Sequence, residues 1–272
     1  EWIFPDGSDP FQVDCGLRVQ GGDYVRSRYN PNDPGRFGKY SFRLYFRSDY
    51  GPGKLNYKLF PDTQVDEFDV ISLRAGMNDY INPFVVDELA RRLHSDMGYV
   101  AAHGTFAHLF INGNYEGYYN PTERIDEDFL NSYAGTEDQD WDVIAQFNET
   151  REGDRREWNR LLSAARKDQT VIKNFIDLSE KLDVDSFIDY LFLNIYAGTG
   201  DWPHNNWRAA RPRIPGAKWR FLVWDAEWAF GNLNRSLNTN TITTELARDS
   251  EITTIFQSLK ESEEFRIRFG DR

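Results

Sequence analysis

The alternation of apolar and polar residues in the first half of the chain predicts β-strands. In KYSFRLYF, residues 39–46, apolar side chains alternate with polar ones, which is the two-residue period of a strand with one buried face. GLRVQGG before it predicts a short strand that ends in a double-glycine turn, and FDVISLRAG after it predicts another strand. VRSRYNPNDPGRFG, which separates the first two strands, is rich in proline and glycine and cannot continue either of them. We interpret it as a flap or as a loose hairpin end.

A helix and a hairpin complete this first part. In NDYINPFVVDELARRLHSDMG, apolar side chains recur at three- and four-residue spacing, which predicts an amphipathic helix that Gly98 stops. FAHLFINGNYEGYY predicts a β-hairpin that turns at Asn112-Gly113, because this dipeptide is the strongest short-range turn signal. PTERIDEDFLNSYAG then turns into a helix. We therefore predict a β-rich, antiparallel first lobe over residues 1–125.

The second part of the chain has a helical pattern. It runs from Asp126 to Ala197 and is clearest in REWNRLLSAARK and in DVDSFIDYLFLNIYAG, which is apolar on most faces and predicts a buried helix. KWRFLVWDAEWAFG then predicts a strand that ends at Asp225, where side chains would face a cleft. We predict an α+β fold whose second lobe, residues 126–272, is mainly helical. EEFRIRFGDR has no closing signal, so we expect the natural protein to continue beyond Arg272.

Composition and charge exclude several functions. The 272 residues are 40% hydrophobic and 15% aromatic, which supplies a substantial core. The formal net charge of -12 argues against a general nucleic-acid binder, although local basic clusters can bind a phosphorylated small molecule. Cys15 is the only cysteine, so an internal disulfide is excluded and any metal must be held by oxygens or histidines. The chain has no run of about 18 apolar residues, so we expect no membrane insertion.

Candidate chemistry is concentrated in GDWPHNNWRAARPRIPGAKWRFLVWDAEWAFG, residues 200–231. Asp201 and Asn206 are five positions apart, and Asp225 ends the next predicted strand. This order matches phosphoryl transfer, where a first Asp orients the acceptor hydroxyl and a later Asn and Asp hold Mg²⁺. Mg²⁺ prefers oxygen ligands and needs only one or two carboxylates besides phosphates and water. We therefore predict Asp201 as the catalytic residue and Asn206 and Asp225 as metal ligands, although turn and capping roles are the common ones for such residues.

The first lobe should then supply the contacts to phosphate. Lys39 lies on the strand after the glycine turn and is the candidate catalytic and nucleotide-binding lysine. Its partner on the predicted helix is Asp87 or Glu88, of which we favour Asp87, because a helix turns about 100° per residue and only one of the two can face a cleft. Further nucleotide-binding candidates are Arg18, Gly21, Gly22 and Arg26.

Most of the chain resembles the spore-coat protein H (CotH) kinase-like family. The resemblance rests on GLRVQGG, KYSFRLYF, LRAGMND, DELARRLHSDMG, HLFINGNYEGYYNPTER, DVDSFIDYLFLNIYAGTGDWPHNNW and KWRFLVWDAEWAFG. It implies a two-lobed, atypical protein-kinase-like fold that uses ATP and Mg²⁺, or Mn²⁺, to phosphorylate serine or threonine of an acceptor protein. It also implies the roles given above for Lys39, Asp201, Asn206 and Asp225, and it makes Glu123 a hinge residue near the nucleotide.

Other functions stay open at this point. A catalytically silent surface adhesion or binding module could use the same scaffold, a kinase-like fold can transfer an adenylyl group, and a glycoside hydrolase could use Asp201 and Asp225. His204 invites a zinc site, but the histidines show no H-x-x-x-H spacing, so we expect no zinc and a solvent-facing or hydrogen-bonded histidine. We interpret the tryptophans as core rather than as a carbohydrate platform. The compartment stays open, a secreted or cell-surface location included.

Overall fold

The computed structural model describes residues 1–30, 39–76, 85–231 and 238–272. Most of the predicted flap, residues 31–38, and the start of the segment predicted to form the amphipathic helix, residues 77–84, lie outside the described residues. In chain order the elements are β1 (Gly16–Val19), α1 (Asp23–Arg26), β2 (Phe42–Tyr45), β3 (Leu55–Asn56), β4 (Glu67–Phe68), β5 (Val70–Arg74), α2 (Val86–Asp96), β6 (Ala107–Ile111), β7 (Asn114–Glu123), α3 (Glu127–Ala134), β8 (Trp141–Ala145), β9 (Glu149–Glu152), α4 (Arg156–Ala165), α5 (Ile172–Ser179), α6 (Val184–Ala197), β10 (Trp207–Pro212), β11 (Arg220–Val223), α7 (Thr241–Thr244), α8 (Glu251–Leu259) and α9 (Glu263–Asp271).

The first compact unit, Glu1–Tyr80 with Ala102–Tyr133, is built on a five-stranded antiparallel sheet. Its strands lie in the order β1-β2-β5-β7-β6, and β3 and β4 form a separate two-stranded ladder. The strand predicted around Phe42 is confirmed as β2, but its alternation holds only in part: Phe42 is buried and Arg43 partly buried, whereas Leu44 is partly buried and Tyr45, expected on the polar face, is buried. The hairpin is also confirmed, since Asn112 and Gly113 have φ of 51° and 80° and connect β6 to β7.

The second compact unit consists of Ile81–Ala101 and Ala134–Arg272. It includes α2, which confirms the predicted amphipathic helix and ends before Gly98, a glycine with φ of 89°. The boundary that the sequence predicts after residue 125 stays a prediction. The compact units differ from it by grouping α2 with the second sheet rather than with the first.

A four-stranded antiparallel sheet of the second unit corrects the helical prediction for residues 126–197. Its strands lie in the order β11-β10-β8-β9, so β8 and β9 occupy a stretch that we predicted to be helical. The alternation expected of a strand is missing from β8 because Asp142 and the three residues after it are all buried. The first four residues of β10 are buried as well. Strands covered on both faces give no two-residue period, so the pattern could not show them.

The core of the second unit surrounds α6 and the aromatic side chains of the sheet. The predicted burial of α6 is confirmed, with Phe187, Ile188 and Leu191 inaccessible to solvent. Trp158 stacks on Trp207 with ring centroids 5.6 Å apart, which confirms that clustered tryptophans form core here. Among the described residues, no helix is long and apolar enough to cross a membrane.

Candidate functional site

The loop that carries Asp201 is fixed at both of its ends. Helix α6 starts at Asp183, whose carboxylate accepts a hydrogen bond from a backbone N–H of the first turn, and it stops at Gly198 with a left-handed φ of 60°. Gly200 N then donates to Trp228 O at 2.6 Å. This bond joins the loop after α6 to the segment after β11, and these two segments hold the predicted catalytic and metal-binding residues.

The ladder between β10 and β11 brings Asn206 and Asp225 to the same end of the second sheet. The two strands are antiparallel and pair Trp207 with Val223. Asn206 precedes Trp207 directly, and Asp225 follows Val223 by two positions. An antiparallel register therefore places both candidate metal ligands beside the last pair of the ladder.

All three predicted residues of the second unit have a left-handed backbone. The φ angles are 52° at Asp201, 56° at Asn206 and 57° at Asp225. Residues other than glycine rarely adopt this conformation, which is sparsely populated and costs energy, although Asp and Asn tolerate it better than most. Such conformations are concentrated at functional sites. Their coincidence at three predicted positions singles out this strand end as the candidate active site.

Neighbouring polar side chains hold the Asp201 carboxylate. The amides of Asn205 and Asn206 donate to Oδ2 at 2.9 Å and 3.2 Å. His204 Nε2 lies 3.1 Å from the other oxygen, Oδ1. The side chain of Asp201 is about a third exposed, at 32%, so it stays accessible to a substrate. The hydrogen bond from Asn206 also links the candidate catalytic residue directly to a candidate metal ligand.

A histidine and an arginine extend this cluster. Arg248 Nη1 lies 3.5 Å from His204 Nδ1, and Arg248 Nε lies 2.9 Å from the buried carboxylate of Glu245. His204 is thus a hydrogen-bonded histidine between the guanidinium of Arg248 and the carboxylate of Asp201. No sequence pattern indicates this arrangement, because Arg248 lies 44 positions after His204.

Helix α2 contacts the strand end through Asp87. The buried carboxylate of Asp87 accepts a hydrogen bond from Ala226 N at 2.7 Å, and its second oxygen accepts from Arg91 Nε at 3.2 Å. Glu88 is equally buried, but it accepts from Arg91 Nη2 at 2.7 Å. Asp87 therefore holds the backbone of the residue next to Asp225, a contact that sequence spacing could not show.

Buried aromatic and acidic residues support the same segment. Trp202, directly after Asp201, is inaccessible to solvent and donates from Nε1 to Tyr190 Oη at 2.9 Å. Burial raises the pKa of Tyr190, so its hydroxyl stays protonated and available for hydrogen bonding. Glu227 is only 6% exposed, so this carboxylate is part of the interior beside the site rather than an exposed charge.

The oxygen atoms of Asn206 and Asp225 suit a hard divalent cation. The hydrogen bond to Asp201 is donated by the amide nitrogen of Asn206. It does not use the amide oxygen of Asn206, which is the type of atom that Mg²⁺ prefers as a ligand. Within residues 1–30, 39–76, 85–231 and 238–272, no group of three or more His, Cys, Asp or Glu side chains could hold a metal ion. One carboxylate and one amide fit Mg²⁺ that takes its other ligands from phosphates and water.

Lys39 lies in the first unit, three residues before β2 rather than on the strand as predicted, and its side chain contacts β7. Its Nζ donates to Tyr118 O at 2.5 Å and lies 4.8 Å from the ring centre of Tyr119. The side chain is partly buried rather than directed into bulk solvent. The predicted ion pair between Lys39 and Asp87 stays a prediction.

Glu123, at the end of β7, belongs to a buried polar cluster. One carboxylate oxygen accepts from His103 N at 2.8 Å and from Tyr133 Oη at 2.9 Å. Tyr133 Oη also lies 2.7 Å from His103 Nδ1, and burial raises the pKa of Tyr133. These contacts fix the carboxylate, and the role of Glu123 beside a nucleotide stays a prediction.

The remaining nucleotide-binding candidates lie near β1. Gly21 has φ of 131°, and a Cβ there would come within 2.9 Å of Val25 Cβ, so glycine is required for this turn. Gly22 O accepts from Val25 N and Arg26 N at 3.0 Å, and the exposed Arg26 ends the single turn α1. Arg18 lies on β1 and lines a separate pocket. Their contacts with a nucleotide stay predictions.

A comparison with protein families agrees with the α+β fold and with the resemblance seen in the sequence. The family described as CotH kinase protein matches residues 28–272. Because this match spans nearly the whole chain, the chain belongs to the CotH kinase protein family, and the membership suggests a kinase-like role. A search of curated proteins found no match.

Proposed function

We propose that the protein is an ATP- and Mg²⁺-dependent phosphotransferase that phosphorylates serine or threonine hydroxyls of an acceptor protein. The proposal rests on one observation: the strand end after β11 and the loop after α6 bring Asp201, Asn206 and Asp225 together, each with a left-handed backbone. Membership in the CotH kinase protein family supports it. The two compact units would then correspond to the two lobes of a kinase-like fold.

Asp201 would position the acceptor hydroxyl. A carboxylate oxygen offers about two lone pairs, and Oδ2 already accepts from the amides of Asn205 and Asn206. Oδ1 lies beside His204 and accepts from neither amide, so it is the oxygen left for the substrate hydroxyl. There it would align the hydroxyl for in-line attack and accept its proton, while the amides keep the carboxylate from rotating.

Asn206 and Asp225 would hold Mg²⁺ or Mn²⁺. The bound cation would neutralise charge on the phosphates during transfer. The hydrogen bond from Asn206 to Asp201 would then hold the metal ligand Asn206 at a constant distance from Asp201, the residue that orients the hydroxyl. Asp87 would hold the backbone beside Asp225 in place through its bond to Ala226 N.

The first unit would bind the nucleotide. Lys39 would contact its phosphates through Nζ, and its hydrogen bond to Tyr118 O shows that the ammonium can hold an oxygen acceptor. Gly21 and Gly22 would let the backbone of the turn approach a phosphate, with Arg26 nearby. Glu123 would be a hinge residue near the nucleotide at the end of β7. Its side-chain hydrogen bonds with His103 N and Tyr133 Oη would hold the backbone there in place.

Labelled ATP tests the proposal most directly. The purified protein is incubated with Mg²⁺ and ATP labelled at either the γ- or the α-phosphate, with dephosphorylated casein and the protein itself as acceptors. We expect transfer of the γ-label only, and no transfer by Asp225→Asn. Asp177→Asn is the matched control, since Asp177 lies on α5 in ion pairs with Lys167 and Lys181.

The other outcomes identify the competing functions. Transfer of the α-label would show an adenylyl transferase on this scaffold and would overturn phosphorylation. A silent binding module without a nucleotide site should show neither label and no rise in the melting temperature with MgATP. If Asp225→Asn transfers phosphate as fast as the unchanged protein, the proposed metal site is wrong.

A further inference from the structure

A pocket of about 400 Å³ lies beside the end strand of the first sheet. Three consecutive residues of β1 line it. Because successive side chains of a strand point to opposite faces of the sheet, the pocket lies along the strand and not on one face only. We call it the arginine pocket, and its lining residues are Gly16, Leu17, Arg18, Tyr45, Arg47 and Tyr50. The volume is within the range of small-ligand sites, roughly 300–1,000 Å³.

The positive charges of the arginine pocket have no acidic partners in the described part of the chain. Arg18 and Arg47 are exposed and lie over the ring of Tyr45, with guanidinium carbons 5.7 Å and 5.2 Å from its centre. Arg43, which pairs with Arg18 across β1 and β2, has a buried Nε without a hydrogen-bond partner there. Most other arginines in the described ranges form ion pairs, whereas Arg18 and Arg47 line the pocket without a carboxylate and Arg43 pairs with Arg18 beside it, which marks a place for an external anion.

The arginines around the pocket also act on the hydroxyl of Tyr45. Burial raises the pKa of a tyrosine, but a hydrogen bond from Arg43 and the charges of Arg43, Arg124 and Arg18 outweigh it and lower the pKa of Tyr45 below its usual value. The surroundings of this hydroxyl therefore stabilise negative charge. The same field would stabilise a bound oxyanion.

The arginine pocket is separate from Lys39. Lys39 is not among the residues that line the pocket, and its Nζ contacts Tyr118 O on β7, which β5 separates from β2 in the sheet. Phosphates held at Lys39 would therefore not fill the pocket. Arg18, which the sequence placed among the nucleotide-binding candidates, fits this second site better.

The position of the pocket favours a peptide as the carrier of the anion. Strand β1 ends the order of the five-stranded sheet, so its outer edge can pair with an extended segment. Leu17 and Tyr50, half exposed at 50% and 51%, provide apolar surface for the side chains of such a segment. Arginine pairs are the usual receptors for phosphate groups on peptides.

We propose that the arginine pocket binds a phosphate monoester on an extended peptide that lies along β1, with Arg18 and Arg47 as the receptors of the phosphate. The choice of phosphoserine as the monoester rests on the proposed function, because the product of that reaction carries this group. The site would dock a phosphorylated protein, such as an acceptor that already carries a phosphate.

Fluorescence polarisation tests this assignment without any catalysis. The probes are two labelled libraries of short peptides with degenerate flanks, one with a central phosphoserine and one with serine. We expect the phosphorylated library to bind about tenfold more tightly or better. The double variant Arg18→Met, Arg47→Met should lose this preference, while Arg160→Met, an exposed arginine on α4, should keep it.

Three results would overturn the proposal. Equal binding of the two libraries would exclude a phosphate receptor. Competition by inorganic phosphate at the concentration of the phosphopeptide would exclude a peptide site. Displacement by MgATP, together with loss of MgATP binding in the double variant, would make the pocket part of the nucleotide site. A protein that binds the phosphopeptide but transfers no label would refute the proposed function and leave this site intact.

Discussion

Asp201 and Lys39 are both predicted catalytic residues, yet their surroundings differ. Two amides and an imidazole surround the carboxylate of Asp201, and all three belong to the five residues that follow it. Lys39, which precedes β2 by three residues, instead contacts the backbone carbonyl of Tyr118 on β7, 79 positions later. The first arrangement is set within a short loop whose residue Asp201 has a left-handed backbone, and the second by a contact between distant parts of the chain.

The difference indicates a division of tasks. A group that orients a hydroxyl during transfer must not move, and Asp201 is fixed by its own loop. Lys39 contacts the carbonyl oxygen of Tyr118, and in the proposed nucleotide complex a phosphate oxygen would take the place of that carbonyl. We therefore expect substitutions in the loop to affect the rate of transfer and substitutions at Lys39 to affect the binding of ATP.

The largest expected effect is that of Asp201→Asn. This change removes the acceptor for the substrate proton, so kcat should fall by about 10²–10⁴-fold while KM for ATP stays unchanged. Steady-state transfer of the γ-label checks it, with Asp177→Asn as the control. A rise in KM for ATP at unchanged kcat would assign Asp201 to binding and would remove the distinction from Lys39.

Lys39→Met should act on binding. Loss of the ammonium should weaken MgATP binding by about 10–100-fold, as expected when a charge-assisted contact to phosphate is removed. Calorimetric titration with MgATP measures it. Lys54→Met is the control, because Lys54 lies in the same unit and pairs with Glu67 on the surface. Unchanged binding would exclude Lys39 from the nucleotide site.

His94 on α2 should make the second unit sensitive to acid. It is completely buried against Tyr99 and Tyr190, both ring nitrogens lack partners in the described part of the chain, and burial lowers its pKa to about 4. The unfolded chain takes up the proton near pH 6.5, so the stability from neutral His94 is complete above that pH and falls as the pH drops towards 4. At pH 5 the loss is about 2 kcal/mol.

Urea unfolding followed by tryptophan fluorescence measures this effect, because seven of the eight tryptophans lie in the second unit. In His94→Phe, the difference between the urea midpoints at pH 5 and pH 7 should shrink by the part that His94 contributes. His108→Phe, which changes an exposed histidine of the first unit, should keep the full acid sensitivity. Equal acid sensitivity in both variants would contradict the prediction.

The smallest expected effect is that of His204. His204→Leu removes the nitrogen beside Asp201 Oδ1, and kcat should fall by about tenfold, or roughly 1.4 kcal/mol, because the carboxylate is less well oriented. His204→Gln carries a nitrogen donor and should retain most of the activity. Pre-steady-state transfer of the γ-label compares the two. Equal losses in both variants would mean that His204 acts only by filling space.

Sequence periodicity predicted the elements whose burial is one-sided or complete over a long stretch. The strand at Phe42, the turn at Asn112 and the apolar helix α6 are all found in the structure, although the burial of Leu44 and Tyr45 departs from the predicted alternation. Strands β8, β9 and β10 were missed because they are short, and β8 and the first part of β10 are buried on both faces. A short buried strand has the same composition as a piece of helix core.

For the candidate site, spacing along the chain predicted what lies close in sequence. Asp201 and Asn206 are five positions apart, and a single hairpin brings Asp225 back to them. The contacts that tertiary folding makes could not be predicted. Asp87 and Ala226 are separated by 139 positions, and the arginine pocket joins β1 to residues about 30 positions later. Such contacts depend on the packing of elements rather than on a local pattern.

The hydrogen bond between Asp87 and Ala226 N makes the first turn of α2 a mechanical support for the strand end that carries Asp225. A shift of this helix along its axis by even a fraction of a turn would break the bond and release the backbone beside the candidate metal ligand. The candidate metal ligand and the helix therefore cannot be disturbed independently. A displacement of α2 would change the position of Asp225 and, with it, the proposed cation site.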